Sequence, residues 1–126
     1  MTKEECRQML RQLRCCVLIP TYNNAGTLSS VINEVLQYTD SVIVVNDGCT
    51  DNTPEIISSF GEKIRSLTHE QNCGKGVAIM NGFAYASRLG FTHVITIDSD
   101  GQHFPSDLPM FAEAMSSTPE AIIVGA

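Results

Sequence analysis

The sequence predicts an α/β fold in which helices cover a mostly parallel sheet. Short apolar segments of strand length alternate along the chain with longer segments of helical periodicity, and such alternation is typical of layered α/β proteins. Polar and glycine-rich stretches fall just after the apolar segments. In a parallel sheet these positions come together at the carboxyl ends of the strands, where ligands bind.

The composition indicates one globular domain that does not bind nucleic acid. The chain has 126 residues, 43% of them hydrophobic, which is enough for a core of its own. Its net charge of −6 argues against a nucleic-acid surface, which would need a basic stripe. No apolar run approaches the roughly 20 residues that span a bilayer. The charged start, MTKEECRQML, lacks the apolar centre of a signal peptide.

The cysteines and histidines show no disulfide or metal pattern. None of the five cysteines belongs to a C-x-x-C pair, so we expect reduced thiols and a cytoplasmic protein. His69, His93 and His103 do not have the spacing of a metal triad. We interpret His69 and His93 as structural or surface residues.

The first part of the chain contains an extension, a strand and a helix. Residues 1–14 form an N-terminal extension with apolar residues at helical spacing, which fits a short packing helix or a solvated segment. The domain itself spans 15–126. Its first apolar run, CCVLIP at 15–20, is closed by a proline and predicts a buried strand. Over 27–38, apolar residues recur at i, i+3, i+4, i+7 and i+8, so we expect an amphipathic helix.

The middle of the chain repeats this alternation. SVIVVN at 41–46 is nearly all apolar and predicts a central parallel strand. DNTPEIISSF at 51–60 predicts a helix with Thr53 as the N-cap and Pro54 as its first residue. A weaker third strand is expected at 64–70.

The last part of the chain supplies two further helices and two strands. A helix is predicted over 74–90, with Gly90 as its C-cap, followed by a strand at 92–97. We expect a helix at 105–117 with Ser106 as its cap, and then a fifth strand, AIIVGA. Because a strand of this kind normally leads into an element that covers the sheet, we expect a truncated chain or the first half of a larger enzyme.

The segment DSDGQH, after the fourth strand, has the most specific chemistry. In extended backbone Asp98 and Asp100 point the same way, with Cα atoms roughly 7 Å apart, so their carboxylates can converge on one cation. Magnesium or manganese would offset their repulsion and keep positions open for a diphosphate. Gln102 or His103 can add a ligand. The same residue types are also common in plain turns, and both interpretations stay open.

Three other loops offer polar groups at the same edge of the sheet. Asp47 can accept hydrogen bonds from a base or a ribose hydroxyl. Lys75 adds a cation beside the N–H groups of a helix start, where a phosphate can bind, although the segment lacks the P-loop pattern. Thr21, Tyr22 and Asn23 follow the first strand. Taken singly, each loop is explained as well by a turn, a helix cap or a solvated lysine.

Four segments occur in order: LIPTYNNAGTLSSVI, VIVVNDGCTDNT, NCGKGVAIMNGFAYA and ITIDSDGQH. Together they resemble the donor-binding half of family-2 glycosyltransferases, above all the dolichyl- and polyprenyl-phosphate sugar transferases. The resemblance covers 15–126 and implies a Rossmann-like three-layer α/β/α fold of the GT-A type. It also implies a UDP- or GDP-sugar donor, Mg²⁺ or Mn²⁺ as cofactor, inversion at the anomeric carbon, and a lipid phosphate or glycan acceptor.

The resemblance also implies roles for individual residues. Donor binding is implied for Pro20, Thr21, Tyr22, Asn23, Asp47, Gly74, Lys75, Asp98 and Ser99. Metal binding is implied for Asp98, Asp100 and Gln102. Within the donor set, Asp47 would bind the base and Lys75 the base or the phosphates. No residue matches the general base that activates the acceptor, so the catalytic residue is unassigned.

Two other interpretations stay open. IDSDGQ resembles the aspartate-nucleophile motif of haloacid-dehalogenase-like phosphatases, although Gln102 replaces their usual threonine or valine. Alternatively, the chain is a non-catalytic nucleotide-binding or interaction module. For the transferase we expect a cytoplasmic location, including the cytoplasmic face of a membrane. Membrane association would use parts outside this chain, and homo-oligomers would form through exposed edges.

Overall fold

A computed structural model describes residues 1–101 and 105–117. The strands are β1 (Cys15–Thr21), β2 (Val42–Asp47), β3 (Arg65–His69) and β4 (His93–Thr96). The α-helices are α1 (Lys3–Gln12), α2 (Ala25–Val35), α3 (Thr53–Ser59), α4 (Lys75–Arg88) and α5 (Leu108–Ser117). Short 3₁₀ turns span Gly61–Lys63 and Pro105–Asp107. The predicted fifth strand, Gln102 and His103 lie outside the described residues. Within those residues, no helix has the length and apolar character to cross a membrane.

The four strands form one parallel sheet, as predicted. Their order is β3-β2-β1-β4, and each neighbouring pair is parallel. The chain runs outward from β1 through β2 to β3 and then returns to the other side of β1 for β4. The order therefore reverses between β1 and β4, and in such sheets a crevice opens there at the carboxyl ends of the strands.

Helices cover both faces of the sheet, which confirms the three-layer arrangement. Alternate side chains of β1 point to opposite faces: Val17 and Ile19 belong to the larger core, with α1, α2, α3 and α5. Cys16 and Leu18 belong to the smaller core, against α4. All seven residues of β1 are buried. β1 is therefore the central strand on which both layers depend.

The N-terminal segment folds as a helix packed on the larger core. Thr2 and Glu5 form a reciprocal capping box at the start of α1, and Cys6 and Leu10 are buried. Arg7 donates hydrogen bonds to two carbonyl groups at the end of α2. These contacts satisfy backbone acceptors that the helix itself leaves unpaired.

The cysteines are free thiols, as the absence of a disulfide pattern predicts. Cys6, Cys15 and Cys16 are buried in the two cores. Burial raises the pKa of the Cys16 thiol to about 12, so the thiol stays protonated at neutral pH. These side chains pack as small apolar groups.

The three predicted helix caps each differ from the structure by one or two residues. Thr53 is the first residue of α3, and the N-cap is Asn52. The Thr53 N–H and hydroxyl both donate to the Asp51 carboxylate, at 3.1 Å and 2.6 Å. Ser106 lies within a 3₁₀ turn, two residues before α5. The C-cap of α4 is Leu89 rather than Gly90. Gly90 is the next residue, and its φ of 95° allows its N–H and that of Phe91 to bond carbonyls of the last turn.

Helix α4 lies very close to β1. Gly82 is buried in the middle of α4, and a Cβ atom there would be 2.7 Å from both terminal methyl carbons of Leu18. A side chain at 82 therefore requires Leu18 to move. This contact fixes the height of α4 above the sheet.

We predict that Gly82→Ala has opposite effects in two backgrounds. In the native chain the methyl group overpacks the contact, and we expect a loss of about 1–2 kcal/mol of unfolding free energy. In a Leu18→Ala background the collision is gone, so the helix-propensity gain of about 1 kcal/mol should stabilise the protein. Urea unfolding of the four variants measures both effects.

Gly76→Ala is the matched control, because Gly76 lies in α4 with nothing within 4 Å of its Cβ position. It should stabilise both backgrounds equally, by up to about 1 kcal/mol. An effect of Gly82→Ala with the same sign in both backgrounds would contradict the packing interpretation.

Candidate functional site

A cleft of about 280 Å³ lies at the carboxyl end of the sheet, beside the point where strand order reverses. It is lined by Pro20, Thr21, Tyr22, Asn24, Asp47, Asn72, Lys75, Ala78, Asp98, Ser99 and Asp100. The predicted loops therefore meet at one place. Asn23 and Gly74 are outside this lining set, Gln102 is outside the described residues, and three lining residues were not predicted: Asn24, Asn72 and Ala78.

The end of β1 contributes a hydroxyl group that lacks a partner. Thr21 is 2% exposed, and its Oγ1 has no hydrogen-bond partner among the described residues. A buried hydroxyl without a partner is costly. Thr21 lines the cleft, but its Oγ1 is enclosed by protein atoms, so a ligand there reaches this oxygen only after a small shift of the surrounding residues. Tyr22, the next residue, is 47% exposed at the same site.

Asn23 and Asn24 hold the loops around the cleft. Asn23 accepts a hydrogen bond from the Thr50 N–H at 2.8 Å, which ties the loop after β1 to the loop after β2. Asn24 donates to the Ser99 hydroxyl at 2.9 Å, and the Thr27 hydroxyl donates to the Ser99 carbonyl. Ser99 is buried, so these bonds clamp the acidic loop onto the start of α2.

Two carboxylates and one ammonium group line the cleft. Asp98 and Asp100 line it after β4, and Lys75 lines it from the first residue of α4. Lys75 Nζ lies 2.6 Å from Asp98 Oδ1. With Asp47, the cleft has three carboxylates against one ammonium group. A diphosphate would therefore meet net negative charge unless a cation accompanied it.

The acidic pair fits a divalent cation of the kind that the resemblance implies. Mg²⁺ and Mn²⁺ bind through a few carboxylate oxygens and share their remaining positions with substrate phosphates. Asp98 and Asp100 supply such oxygens at the same cleft, and the Ser99 between them is held by two hydrogen bonds. These residues are the candidate metal ligands within the described chain.

The Asp47 carboxylate is held by the loop that follows β3. Its Oδ1 accepts hydrogen bonds from His69 Nδ1 and the Cys73 N–H, both at 2.9 Å. Its Oδ2 accepts from the Gly74 N–H at 3.0 Å and from Asn72 Nδ2 at 3.2 Å. Burial raises the pKa of the carboxyl, but the bonds from His69, Cys73 and Gly74 outweigh it and hold the pKa below its usual value.

Backbone geometry at two glycines allows this network. Gly48 has a φ of 71°, and a Cβ there would lie 2.3 Å from the Asn72 backbone nitrogen. Gly74 has a φ of 97° and a ψ of 155°, a conformation that is essentially restricted to glycine. The Gly74 N–H donates to Asp47, and the donor-binding role implied for Gly74 stays a prediction.

His69 has a structural role, as the sequence analysis allowed, but its partners were not predicted. The ring bonds Asp47 through Nδ1 and contacts Asn81 Nδ2 through Nε2, at 3.0 Å. Its position at the end of β3, beside the carboxyl end of β2, was the available signal. Asp47, His69 and Cys73 each place one possible metal-ligand atom within 4.8 Å of the other two. The Asp47 carboxylate, however, already accepts hydrogen bonds from N–H donors.

Comparisons with a solved structure and with a family model identify the class of this protein. A glucosyl-3-phosphoglycerate synthase from Mycobacterium tuberculosis, solved with Mn²⁺, UDP and glucosyl-3-phosphoglycerate, superposes with a TM-score of 0.70 at 25% identity. The match covers 91% of this chain and 44% of that one. The chain thus has the fold of the GT-A glycosyltransferases. Residues 16–126 match the model for "Glycosyl transferase family 2", and the chain belongs to that family.

Curated relatives include enzymes that use lipid phosphates. The UDP-N-acetylglucosamine–dolichyl-phosphate N-acetylglucosaminyltransferase of Methanococcus voltae is 30% identical, over 86% of this chain and 50% of the relative. The polyprenol monophosphomannose synthase of Mycolicibacterium smegmatis is 28% identical, over 82% of this chain and 42% of the relative. The chain therefore spans about half the length, or less, of these relatives. Family membership decides against the phosphatase interpretation.

We predict that Asp47→Asn lowers stability at neutral pH but not in acid. The native pKa lies below the unfolded value of roughly 3.9, so the stabilisation is complete above that pH and is lost as the pH falls through the native pKa. We expect the unfolding free energy of Asp47→Asn to be about 2 kcal/mol lower than that of the native chain at pH 7. This difference should shrink steadily below about pH 4. Urea unfolding at a series of pH values measures it.

The exposed Asp107→Asn serves as the control and should change stability little at any pH. If Asp47→Asn lowered the unfolding free energy equally at pH 7 and pH 3, the charge of the Asp47 carboxylate would not be the source of the stabilisation.

Proposed function

We propose that the cleft binds a nucleoside diphosphate sugar together with a divalent cation, as the donor-binding part of a sugar transferase. The observation that carries this proposal is the meeting of a carboxylate pair, a lysine and an unpartnered hydroxyl at one cleft. Each group suits a different part of such a donor. The relatives named above support the same ligand class, because their names or bound ligands include UDP, UDP-N-acetylglucosamine and polyprenol monophosphomannose.

The nucleoside would lie against the end of β1. A small shift around the enclosed Thr21 Oγ1 would let it bond a polar atom of the base or ribose, which would remove the cost of its present isolation. The exposed ring of Tyr22 and the ring of Pro20 line the same part of the cleft. Aromatic and apolar faces of this kind can pack against a base.

The diphosphate would lie between Lys75 and the acidic loop. We propose Asp98 and Asp100, with Gln102, as the ligands of a Mg²⁺ or Mn²⁺ ion. Such an ion, when bound, stabilises the departing nucleoside diphosphate as a Lewis acid. Lys75 is largely exposed, so its long side chain can turn from Asp98 to a phosphate oxygen without disturbing packed residues.

A lipid phosphate is the acceptor that we propose. An acceptor oxygen attacks the anomeric carbon from the side opposite the diphosphate, the new carbon–oxygen bond forms, and the bond to the nucleoside diphosphate breaks with inversion. A phosphate monoester has a second pKa near 6, so its attacking oxygen is largely deprotonated at neutral pH and needs no general base. A glycan hydroxyl would need one. With this acceptor, the protein would work at the cytoplasmic face of a membrane.

We predict that Asp100→Ala abolishes the metal dependence of nucleotide binding while the fold stays intact. Calorimetric titration of UDP in Mn²⁺ and in chelator should show a large difference for the native chain. For Asp100→Ala, we expect the affinity in Mn²⁺ to fall by about tenfold or more, to the value in chelator. Circular dichroism checks the fold.

Glu113→Ala, on the exposed side of α5, removes the same charge at a distance and should leave the titration unchanged. Unaltered UDP affinity in Asp100→Ala would remove this residue from the metal site.

We predict that Thr21→Val stabilises the free protein and weakens nucleotide binding. Valine keeps the shape of the side chain but removes the unpartnered hydroxyl, so the unfolding free energy should rise by about 1 kcal/mol. Loss of one ligand hydrogen bond should weaken UDP about fivefold. Urea unfolding and calorimetry measure the two effects.

Thr39→Val is the matched control, because Thr39 is equally buried and its hydroxyl accepts a bond from the Ser41 N–H. It should lower stability and leave binding unchanged. If Thr21→Val bound UDP like the native chain, Thr21 would not contact the ligand.

A further inference from the structure

We propose that Asp47, His69 and Cys73 form a second metal site beside the cleft, suited to Zn²⁺, and that zinc bound there inhibits nucleotide binding. One possible ligand atom of each residue lies within 4.8 Å of the other two. The site uses different residues from the Asp98 and Asp100 pair. Its existence is independent of the proposed function, whereas its effect on a nucleotide rests on that function.

The chemistry of the three ligand atoms selects the metal. A carboxylate oxygen, an imidazole nitrogen and a thiolate sulfur are all ligands of Zn²⁺, which binds such sets in tetrahedral geometry. Mg²⁺ and Mn²⁺ prefer oxygen ligands, so they suit Asp98 and Asp100 better. The Cys73 thiol releases its proton to solvent when the metal binds. The two positive charges of the ion then balance the Asp47 carboxylate and the Cys73 thiolate.

The ligand atoms are already near the spacing that zinc needs. His69 Nδ1 lies 2.9 Å from Asp47 Oδ1. The Cys73 N–H donates to the same oxygen at 2.9 Å, which keeps this residue beside the carboxylate. With zinc bonds of about 2.0–2.3 Å, tetrahedral ligand atoms are roughly 3.3–3.8 Å apart. A small shift of the His69 ring, and a turn of the exposed Cys73 thiol away from the Gln71 carbonyl, would give this spacing.

A hydrogen atom lies between the two ligand atoms that the ion would join. Because the ionised Asp47 carboxylate can only accept, His69 Nδ1 carries the hydrogen, and Nε2 accepts from the Asn81 amide at 3.0 Å. Zinc binding at Nδ1 moves this hydrogen to Nε2. The exposed Asn81 amide can then turn so that its oxygen accepts it. A metal-bound histidine usually donates its other N–H to such an acceptor, so Asn81 stands where an outer partner is needed.

Zinc at this site would compete with a nucleotide. Asp47 lines the cleft, and the family resemblance implies that its carboxylate contacts the base. A carboxylate that binds zinc has fewer acceptor positions for a base N–H or a ribose hydroxyl. Zinc would therefore weaken donor binding without touching the acidic pair that holds Mg²⁺ or Mn²⁺.

Titration with Co²⁺ tests the metal site directly, because a thiolate bound to Co²⁺ gives a charge-transfer band in the near ultraviolet. In a thiol-free reductant, we expect the native chain to show this band and to lose it when Zn²⁺ is added. Cys73→Ser should abolish the band. His69→Asn keeps a hydrogen-bond donor for Asp47 but loses the ring nitrogen, and we expect Co²⁺ affinity to fall about tenfold or more.

Cys49→Ser is the matched control, because Cys49 is a partly exposed thiol outside the cluster. It should leave the cobalt band unchanged. Absence of the band in the native chain, or an equal band in Cys73→Ser, would overturn the metal site.

Calorimetry with UDP in excess Mn²⁺, with and without one equivalent of Zn²⁺, tests the inhibition. We expect zinc to weaken UDP binding to the native chain by about tenfold, the cost of a lost hydrogen bond to a charged group. Cys73→Ser should show no such effect, and it also controls for zinc bound at the acidic pair. Unaltered UDP affinity in zinc, despite a cobalt band, would overturn the inhibition. Failure of the native chain to bind UDP without zinc would refute the proposed function, while the cobalt band would still decide the metal site.

Discussion

Parallel pairing of β1 with both β2 and β4 is the constraint on which the rest of the molecule depends. β1 is buried along its whole length and divides two cores. Its position between β2 and β4 brings three loops, far apart in sequence, to one edge of the sheet. Thr21, Asp47 and Asp98 share a cleft because their strands end side by side. No single loop could build this site.

Charge in the cleft explains why the site suits a cation as well as an anion. Three carboxylates face one ammonium group, but they are not equivalent. The Asp47 carboxylate accepts hydrogen bonds from four donors at the end of β3 and in the loop after it, whereas Asp98 pairs with an exposed lysine that can move. The carboxylates that line the cleft thus differ in their surroundings although they are the same residue type.

Much of the fold could be predicted because its signals are local. Apolar runs locate the four described strands to within about a residue, and Gly90 marks the end of α4. The clamping of Ser99 by Asn24 could not be predicted, because those residues are 75 positions apart and asparagine is equally typical of turns. The partners of His69 could not be predicted for the same reason: Asp47 and Asn81 become its neighbours only when β2, β3 and α4 have packed.

The unequal size of the two cores has a consequence for motion. Of the described helices, four stabilise one face of the sheet, and α4 covers the other. A partial opening that separated α4 from the sheet would disrupt the smaller core and leave the larger core intact. We therefore expect it to be the partial unfolding with the lowest free-energy cost in the described fold. Since Lys75 begins α4, that excursion would also widen the cleft. A nucleotide that contacted both α4 and the opposite wall of the cleft would make this opening less frequent.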